Sequence, residues 1–233
     1  MKTMDTKKNR SAASKEAEPL MKQTLSDQIY ERLKEDIITH RISFGEKLVN
    51  RELQQKFGVS STPVRDAINH LYLDGLLDNI TNGGARVISF DLSFALEVNE
   101  VVMILTQGAI QAAAREERLG ELAAILARVV EKQKNVRTIE DYILLDRQFH
   151  QAFFTCGGNR HLDHTYHQYT VLFEMLVRLS QTGGAQRSES MAEHQKIYEC
   201  CRNGDQKGLE QEMRLHYQSA ADWFTQHGSA FGA

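Results

Sequence analysis

No proline follows Pro63, and no alternating strand pattern appears beyond Asp91. Proline ends helices, so a long proline-free segment whose apolar residues keep helical spacing is typical of a series of helices. The sequence predicts six of them, near residues 92–117, 120–135, 138–155, 159–181, 188–203 and 206–226. Helices of this length joined by short connections predict an antiparallel all-helical bundle.

The segment before the bundle predicts a helix-turn-helix. Apolar residues recur every four positions from Leu25 to Ile37, which indicates an amphipathic first helix. After a turn, a short second helix is expected to carry Leu48 and to end at Gly58. A third helix is expected to open in the Ser/Thr run just before Pro63, because a hydroxyl can cap a helix and proline is tolerated in its first turn.

A β-hairpin is predicted directly after the third helix. Two short apolar segments, 76–80 and 85–88, flank Asn82-Gly83, and Asn-Gly is the strongest local signal for a hairpin turn. The fold class is therefore mainly α, with an N-terminal winged helix-turn-helix and a C-terminal helical bundle. We expect three parts: a flexible arm over 1–23, a winged domain over 24–90 and a helical domain over 91–228.

Composition bounds the surroundings and the partners of the chain. Residues 1–90 hold 14 Lys and Arg against 12 Asp and Glu, whereas residues 91–233 hold 14 against 19, so a DNA contact is expected in the first part only. Three cysteines without a CxxC pair (Cys156, Cys200, Cys201) suit a reducing compartment. Without an apolar stretch of about 18–20 residues or a signal peptide, the protein is expected to be cytoplasmic, with no membrane partner.

The run KLVNRELQQKFGVSSTPVRDAINHLYLDGLLDNITNGGARV resembles the DNA-binding module of the GntR family of bacterial regulators. The second half is similar to the FCD effector domain of the FadR subfamily, through DRQFHQAFFTCGGN, EHQKIYECCRNGD and MRLHY. Together the two resemblances cover nearly all of residues 25–227. They imply a transcription regulator that binds a double-stranded DNA operator and senses a small molecule.

The recognition helix of such a module lies in the major groove, with its N-terminal residues against bases and phosphates. The resemblance and the helix N-terminus together assign DNA contacts to seven residues: Arg51, Ser60, Ser61, Thr62, Arg65, and Asn82 and Gly83 at the wing tip. Alternatively, Ser60 only caps the helix and Arg65 is a solvated charge. The family usually has Arg at Ser61, Pro at Phe44 and a basic residue near Gly83, so the operator preference is expected to differ.

A metal site is implied by the second resemblance. Asp146 and His150 lie four residues apart on one predicted helix and so share a face, while His194 and His216 fall on two later helices. These four match the FCD metal ligands, and three imidazoles with a carboxylate suit a divalent transition metal, with zinc expected and nickel or another metal possible. His161, His164 and His167 form one helix stripe that we interpret as a polar face.

An effector pocket is expected beside the metal, where open coordination positions receive water or a carboxylate. The family usually has Arg and Glu where this chain aligns Asn99 and Met103, so a cationic anchor is missing and the effector is expected to be neutral or only weakly acidic, either a neutral metabolite or a carboxylate. No HExxH arrangement is present, and catalysis is not expected.

The protein is predicted to act as a homodimer, since one recognition helix reads too few bases. The alternatives are a metal-sensing regulator and a metal-dependent hydrolase.

Overall fold

The computed structural model describes residues 23–180 and 185–228. The predicted arm, 1–23, lies outside these ranges except for Gln23. The N-terminal region contains six elements: α1 (Leu25–Ile38), β1 (Lys47–Val49), α2 (Asn50–Phe57), α3 (Ser61–Leu73), β2 (Leu77–Thr81) and β3 (Gly84–Val87). The Thr24 hydroxyl accepts from the backbone of Asp27, whose carboxylate accepts from the backbone of Thr24, and this capping box starts α1.

The wing is a three-stranded antiparallel sheet with the order β1-β3-β2. Leu48 therefore lies on a strand and not on the second helix, which is a correction to the sequence prediction. A three-residue strand has too little periodicity to be recognised alone, and pairing of Leu48 with Ala85 creates it. Gly84 makes the pairing possible, because its φ of +148° is strained for other residues and a Cβ there would lie 1.9 Å from the carbonyl oxygen of Leu48.

The remaining described chain is a bundle of α4 (Leu92–Arg115), α5 (Leu119–Gln133), α6 (Ile139–Gly157), α7 (Arg160–Ser180), α8 (Ala185–Arg202) and α9 (Gln206–Gln226). Helix α4 packs against α6, α7 and α9, and α5 packs against α6 and α8. The predicted fold class, a winged helix-turn-helix followed by a helical bundle, is confirmed.

Aromatic packing joins the wing to the bundle. The ring of Phe90 stacks on Phe44 at a centroid distance of 5.1 Å and lies 5.3 Å from Phe94, in the first turn of α4. The side chain of Asp91 caps α4 by accepting from the backbone of Phe94 at 2.9 Å. Phe44, which stands where the family usually has proline, thus contributes to the packing where α4 begins.

Helix α4 is long and apolar enough, by length and composition, to cross a membrane. In the described structure it is the core helix of the bundle, because nine of its residues are buried against neighbouring elements. An apolar core helix of a bundle can have the same length and hydropathy as a membrane-spanning helix.

Candidate metal centre and nucleic-acid interface

Three buried histidines meet at the centre of the bundle. His150 lies on α6, His194 on α8 and His216 on α9, and one ring nitrogen from each lies within 4.8 Å of the others. His150 and His194 are completely inaccessible to solvent, and His216 is 8% exposed. The packing of three helices therefore brings together the three imidazoles that the sequence resemblance implied.

The tautomers of two of these histidines follow from their hydrogen bonds. Thr106 Oγ1 donates to the carbonyl oxygen of Val102 at 2.8 Å, so it must accept from the Tyr217 hydroxyl at 3.0 Å. The Tyr217 oxygen then accepts from Nδ1 of His150 at 3.2 Å. Because Nδ1 carries the proton, Nε2 of His150 is a bare lone pair.

The position of the Nδ1 proton of His216 follows from a hydrogen bond to a residue outside the histidine cluster. Its Nδ1 lies 2.7 Å from Oε2 of Glu193, and a carboxylate can only accept. Burial raises the pKa of Glu193, but the hydrogen bond and charge interaction with His216, together with the Ser219 hydrogen bond and the Lys196 charge, hold that pKa below its usual range. Nδ1 of His194 lies 3.0 Å from Nε2 and 3.1 Å from Oε1 of the Gln133 side chain, so this contact fits either tautomer of His194.

Asp146 faces the Nε2 atoms of two of the histidines. Its carboxylate oxygens lie 3.9 Å from Nε2 of His150 and 3.8 Å from Nε2 of His194, and neither nitrogen has a hydrogen-bond partner among the described residues. Burial lowers the pKa of both histidines well below the usual value, so they are neutral and these contacts are not salt bridges. Burial also raises the pKa of Asp146 to about 6, which leaves it mostly ionised at pH 7.

This donor set fits a divalent transition metal. The bare Nε2 of His150 and the Asp146 carboxylate are both acceptors that face each other across a buried space, an arrangement that is unfavourable without a cation between them. The neutral imidazoles of His150 and His194 and the ionised carboxylate of Asp146 are also in the protonation states that metal binding requires. The Nδ1 contacts to Tyr217, Gln133 and Glu193 are the outer hydrogen bonds that orient metal-binding histidines.

A small cavity of about 30 Å³ lies beside the cluster, with room for one or two water molecules. Asn99 lines it, as expected of an effector-pocket residue. Met103 does not, because it packs against the hydrophobic core instead. The structure therefore brings one of the two predicted pocket residues to the cavity beside the histidine cluster.

The predicted DNA-contacting residues lie together on the surface of the winged region. All seven are exposed: Arg51, Ser60, Ser61, Thr62, Arg65, Asn82 and Gly83. Ser60 occupies the N-cap of α3, but its side chain makes no capping hydrogen bond. Capping alone therefore does not account for Ser60. Arg65 and Asn82 line one crevice between α3 and the wing, so a helix residue and a wing residue face the same space.

Several residues that shape the wing or surround the histidines were not predicted from the sequence. Asn50 ties the wing turn to α2, since its backbone and side-chain nitrogens donate to the carbonyl oxygens of Gly83 at 3.0 Å and Asn82 at 3.1 Å. Around the histidines, Tyr142 donates to Asp146 at 3.0 Å from one helical turn away. Glu193 and Tyr217 are chain neighbours of His194 and His216, so helical spacing and adjacency were the available signals.

The three other clustered histidines, His161, His164 and His167, are exposed on α7. Nε2 of His167 lies 3.7 Å from Asp163, one turn earlier on the same helix. None of them belongs to the histidine cluster of the described structure, and their interpretation as a polar face agrees with this.

A winged helix-turn-helix joined to a helical domain with a buried polar centre defines a DNA-binding regulator with a sensor domain. Residues 25–87 match the model of the gntR family of bacterial regulatory proteins, and residues 97–219 match the FCD domain. The chain belongs to the GntR family of transcription regulators, in the group that carries an FCD domain.

Relatives and solved structures agree with this family. The HTH-type transcriptional regulator YdhC of Bacillus subtilis (strain 168) is 26% identical over 82% of this chain and 86% of its own length. The Nta operon transcriptional regulator of Aminobacter aminovorans is 28% identical over 54% of this chain and 60% of its own. These relatives are regulators and not enzymes.

Two solved structures share the fold. E. coli McbR/YncC superimposes with a TM-score of 0.64 at 20% identity, covering 88% of this chain and 99% of its own. A GntR transcriptional regulator from Rhodococcus sp. RHA1 gives a TM-score of 0.67 at 16% identity, covering 86% and 97%. At these identities the likeness concerns the fold alone.

Proposed function

We propose that the helical domain, residues 91–228, holds one divalent transition metal, zinc as first choice, through Asp146, His150, His194 and His216. One observation carries this proposal: the buried, unpartnered Nε2 atoms of His150 and His194 face the Asp146 carboxylate at 3.9 and 3.8 Å. A bound metal would add its binding free energy to the stability of the domain.

The winged domain, residues 24–90, would bind the operator through the seven exposed residues described above. One recognition helix reads few base pairs, so we propose a homodimer on a pseudo-palindromic site in the cytoplasm. The hydroxyl side chains of Ser60, Ser61 and Thr62 and the N-terminus of α3 suit phosphate oxygens. Arg65, one turn further on, would reach a phosphate or a guanine edge.

Tyr217 supports a route from the metal centre to the DNA-binding region. Its hydroxyl links His150 to Thr106 on α4, and its backbone carbonyl accepts from Asn99 Nδ2, also on α4, at 3.0 Å. Helix α4 begins directly after the wing, where Phe90 and Phe94 pack. A change at the histidines would therefore act on the helix that leads to the winged domain. Residues 89–93 are the proposed joint.

An effector larger than water would have to widen the cavity, which has only about 30 Å³. Widening separates the helices that line it, α4, α6, α7 and α9 among them. Such a ligand binds two arrangements of the bundle with different affinity, which is what a shift in operator affinity requires. The small cavity also favours the second candidate, a regulator in which the metal itself is the signal.

Fluorescence anisotropy on a labelled operator, first selected from randomised duplexes, tests the function and separates the two candidates. Free zinc is buffered over several orders of magnitude, with native protein and the His194→Ala variant. An effector-responsive regulator keeps a constant operator affinity once one metal per chain is bound. A metal sensor changes its affinity as the site fills. No binding to any duplex would contradict both.

Thr106→Val is the matched test of the proposed route, because it keeps the side-chain shape and removes the acceptor of the Tyr217 hydroxyl. If the route runs through Tyr217, the variant binds operator as the native protein does, while its operator affinity responds less to occupancy of the metal-side cavity. An unchanged response would show that this hydrogen bond does not carry the coupling.

A further inference from the structure

Asn99 has an unsatisfied acceptor in the wall of the metal-side cavity. The residue is 5% exposed, and its Nδ2 donates to the backbone carbonyl of Tyr217 at 3.0 Å. This bond fixes the orientation of the amide, since the opposite orientation would place two oxygens against each other. Oδ1 is left buried, and no residue in the described ranges donates a hydrogen bond to it.

A buried carbonyl oxygen without a donor costs about 1–3 kcal/mol. The same cavity is lined by four hydroxyl-bearing residues, Tyr142, Ser180, Ser190 and Tyr217, and the Tyr217 hydroxyl contacts Thr106 and His150. Tyr142 and Ser190 are already engaged with each other at 2.8 Å. Among the described lining residues, Asn99 Oδ1 and His150 Nε2 are buried acceptors without a partner. The proposed metal would take Nε2, so a ligand that donates a hydrogen bond would satisfy Asn99.

The charges of the lining restrict the ligand further. Asp146 and Glu193 line the cavity, while the described lining includes neither Lys nor Arg. Burying a carboxylate without a compensating cation is costly. The metal can compensate one carboxylate of a ligand, but no side chain of the lining is available to compensate a second.

We infer that the effector class is a small molecule that bears a hydroxyl or amino donor and at most one carboxylate, and that Asn99 Oδ1 selects it by accepting from that donor. The inference rests on the proposed metal centre, whose open positions would take the carboxylate. A dicarboxylate is excluded by the charges of the lining. A monocarboxylate without a donor leaves Asn99 unsatisfied.

Three probes of equal chain length test both parts of the inference. They share one carboxylate and differ at the far end: 3-hydroxypropionate has a hydroxymethyl group, propionate a methyl group and malonate a second carboxylate. Isothermal titration is performed on full-length protein with its metal content measured beforehand. We expect 3-hydroxypropionate to bind about tenfold or more tightly than propionate, which corresponds to one well-made hydrogen bond. Malonate should bind more weakly than 3-hydroxypropionate.

Asn99→Leu removes the acceptor at similar volume, and we expect it to abolish the preference for 3-hydroxypropionate over propionate. Asn99→Asp retains an acceptor and should keep the preference for 3-hydroxypropionate. It provides the comparison with native protein if the leucine variant does not fold. Equal affinities for the two monocarboxylates in native protein, tighter binding of malonate, or no binding by metal-loaded protein would each overturn the inference and leave the metal centre intact. Absence of metal from protein equilibrated with zinc would overturn the metal centre itself.

Discussion

The winged region and the bundle are each stabilised by a different kind of contact. In the wing, position is set by the backbone: Gly84 lets β1 approach β3, and Asn50 binds the carbonyl oxygens of the turn. In the bundle, long-range polar contacts between side chains surround a buried cluster, with Tyr217, Gln133 and Glu193 each bonded to one histidine. The first arrangement presents an outer surface to a rigid partner such as DNA, and the second encloses a site whose occupancy can change the packing.

The largest effect is expected in the bundle. With free zinc about a thousandfold above its dissociation constant, native protein should gain about 4 kcal/mol of unfolding free energy, and His194→Ala should gain little. Thermal unfolding with and without zinc measures this gain. His161→Ala is the matched control, because His161 is an exposed histidine on α7 and should retain the full gain. A native-like gain in His194→Ala would remove that residue from the site.

The wing should respond next most strongly. Gly84→Ala should cost about 3 kcal/mol, because the new Cβ would lie 1.9 Å from the Leu48 carbonyl oxygen at a φ of +148°. Gly83→Ala is the control one residue away, since its Cβ would meet only Thr81 Oγ1, at 3.8 Å. Urea unfolding compares the two. Equal losses would show that the close approach of β1 does not determine the stability of the wing.

The difference between local contacts in the winged region and long-range contacts in the bundle explains which features could be predicted from the sequence. Asn82-Gly83, Pro63 and the spacing from Leu25 to Ile37 are local signals, so the helix-turn-helix and the hairpin were predicted correctly. Strand β1 was missed because it exists only through pairing with β3. In the bundle, helical spacing predicted the helices. That His150, His194 and His216 lie together was predicted only from the family resemblance. Met103 was assigned to the effector pocket by alignment with the family, and the structure packs it against the core instead of the cavity.

The recognition helix should show a smaller effect, and on DNA binding alone. Arg65→Ala should weaken operator binding by about 1–3 kcal/mol without changing stability, because Arg65 is exposed. If the contact is to phosphate, the salt slope should also fall by about one unit. Arg115→Ala, at the exposed C-terminal end of α4, is the control and should bind as the native protein does. Native affinity for Arg65→Ala would remove this residue from the interface.

The smallest effect concerns specificity. The Ser61 hydroxyl cannot make the bidentate contact that arginine makes with guanine, so Ser61→Arg should favour guanine-containing half-sites by about 1 kcal/mol. Selection from randomised duplexes at one fixed salt concentration compares native and variant proteins. Identical preferences would mean that Ser61 does not face a base, and the proposed docking of α3 would be wrong.

Native mass spectrometry of the purified full-length protein tests most directly whether the buried cluster is a metal centre. We predict one divalent ion per chain in native protein and in His161→Ala. His150→Ala, His194→Ala and His216→Ala should each lose it, because each removes one of the imidazoles that meet within 4.8 Å. A native chain equilibrated with zinc that carries no ion, or three histidine variants that remain fully loaded, would show that the buried histidines do not form a metal centre.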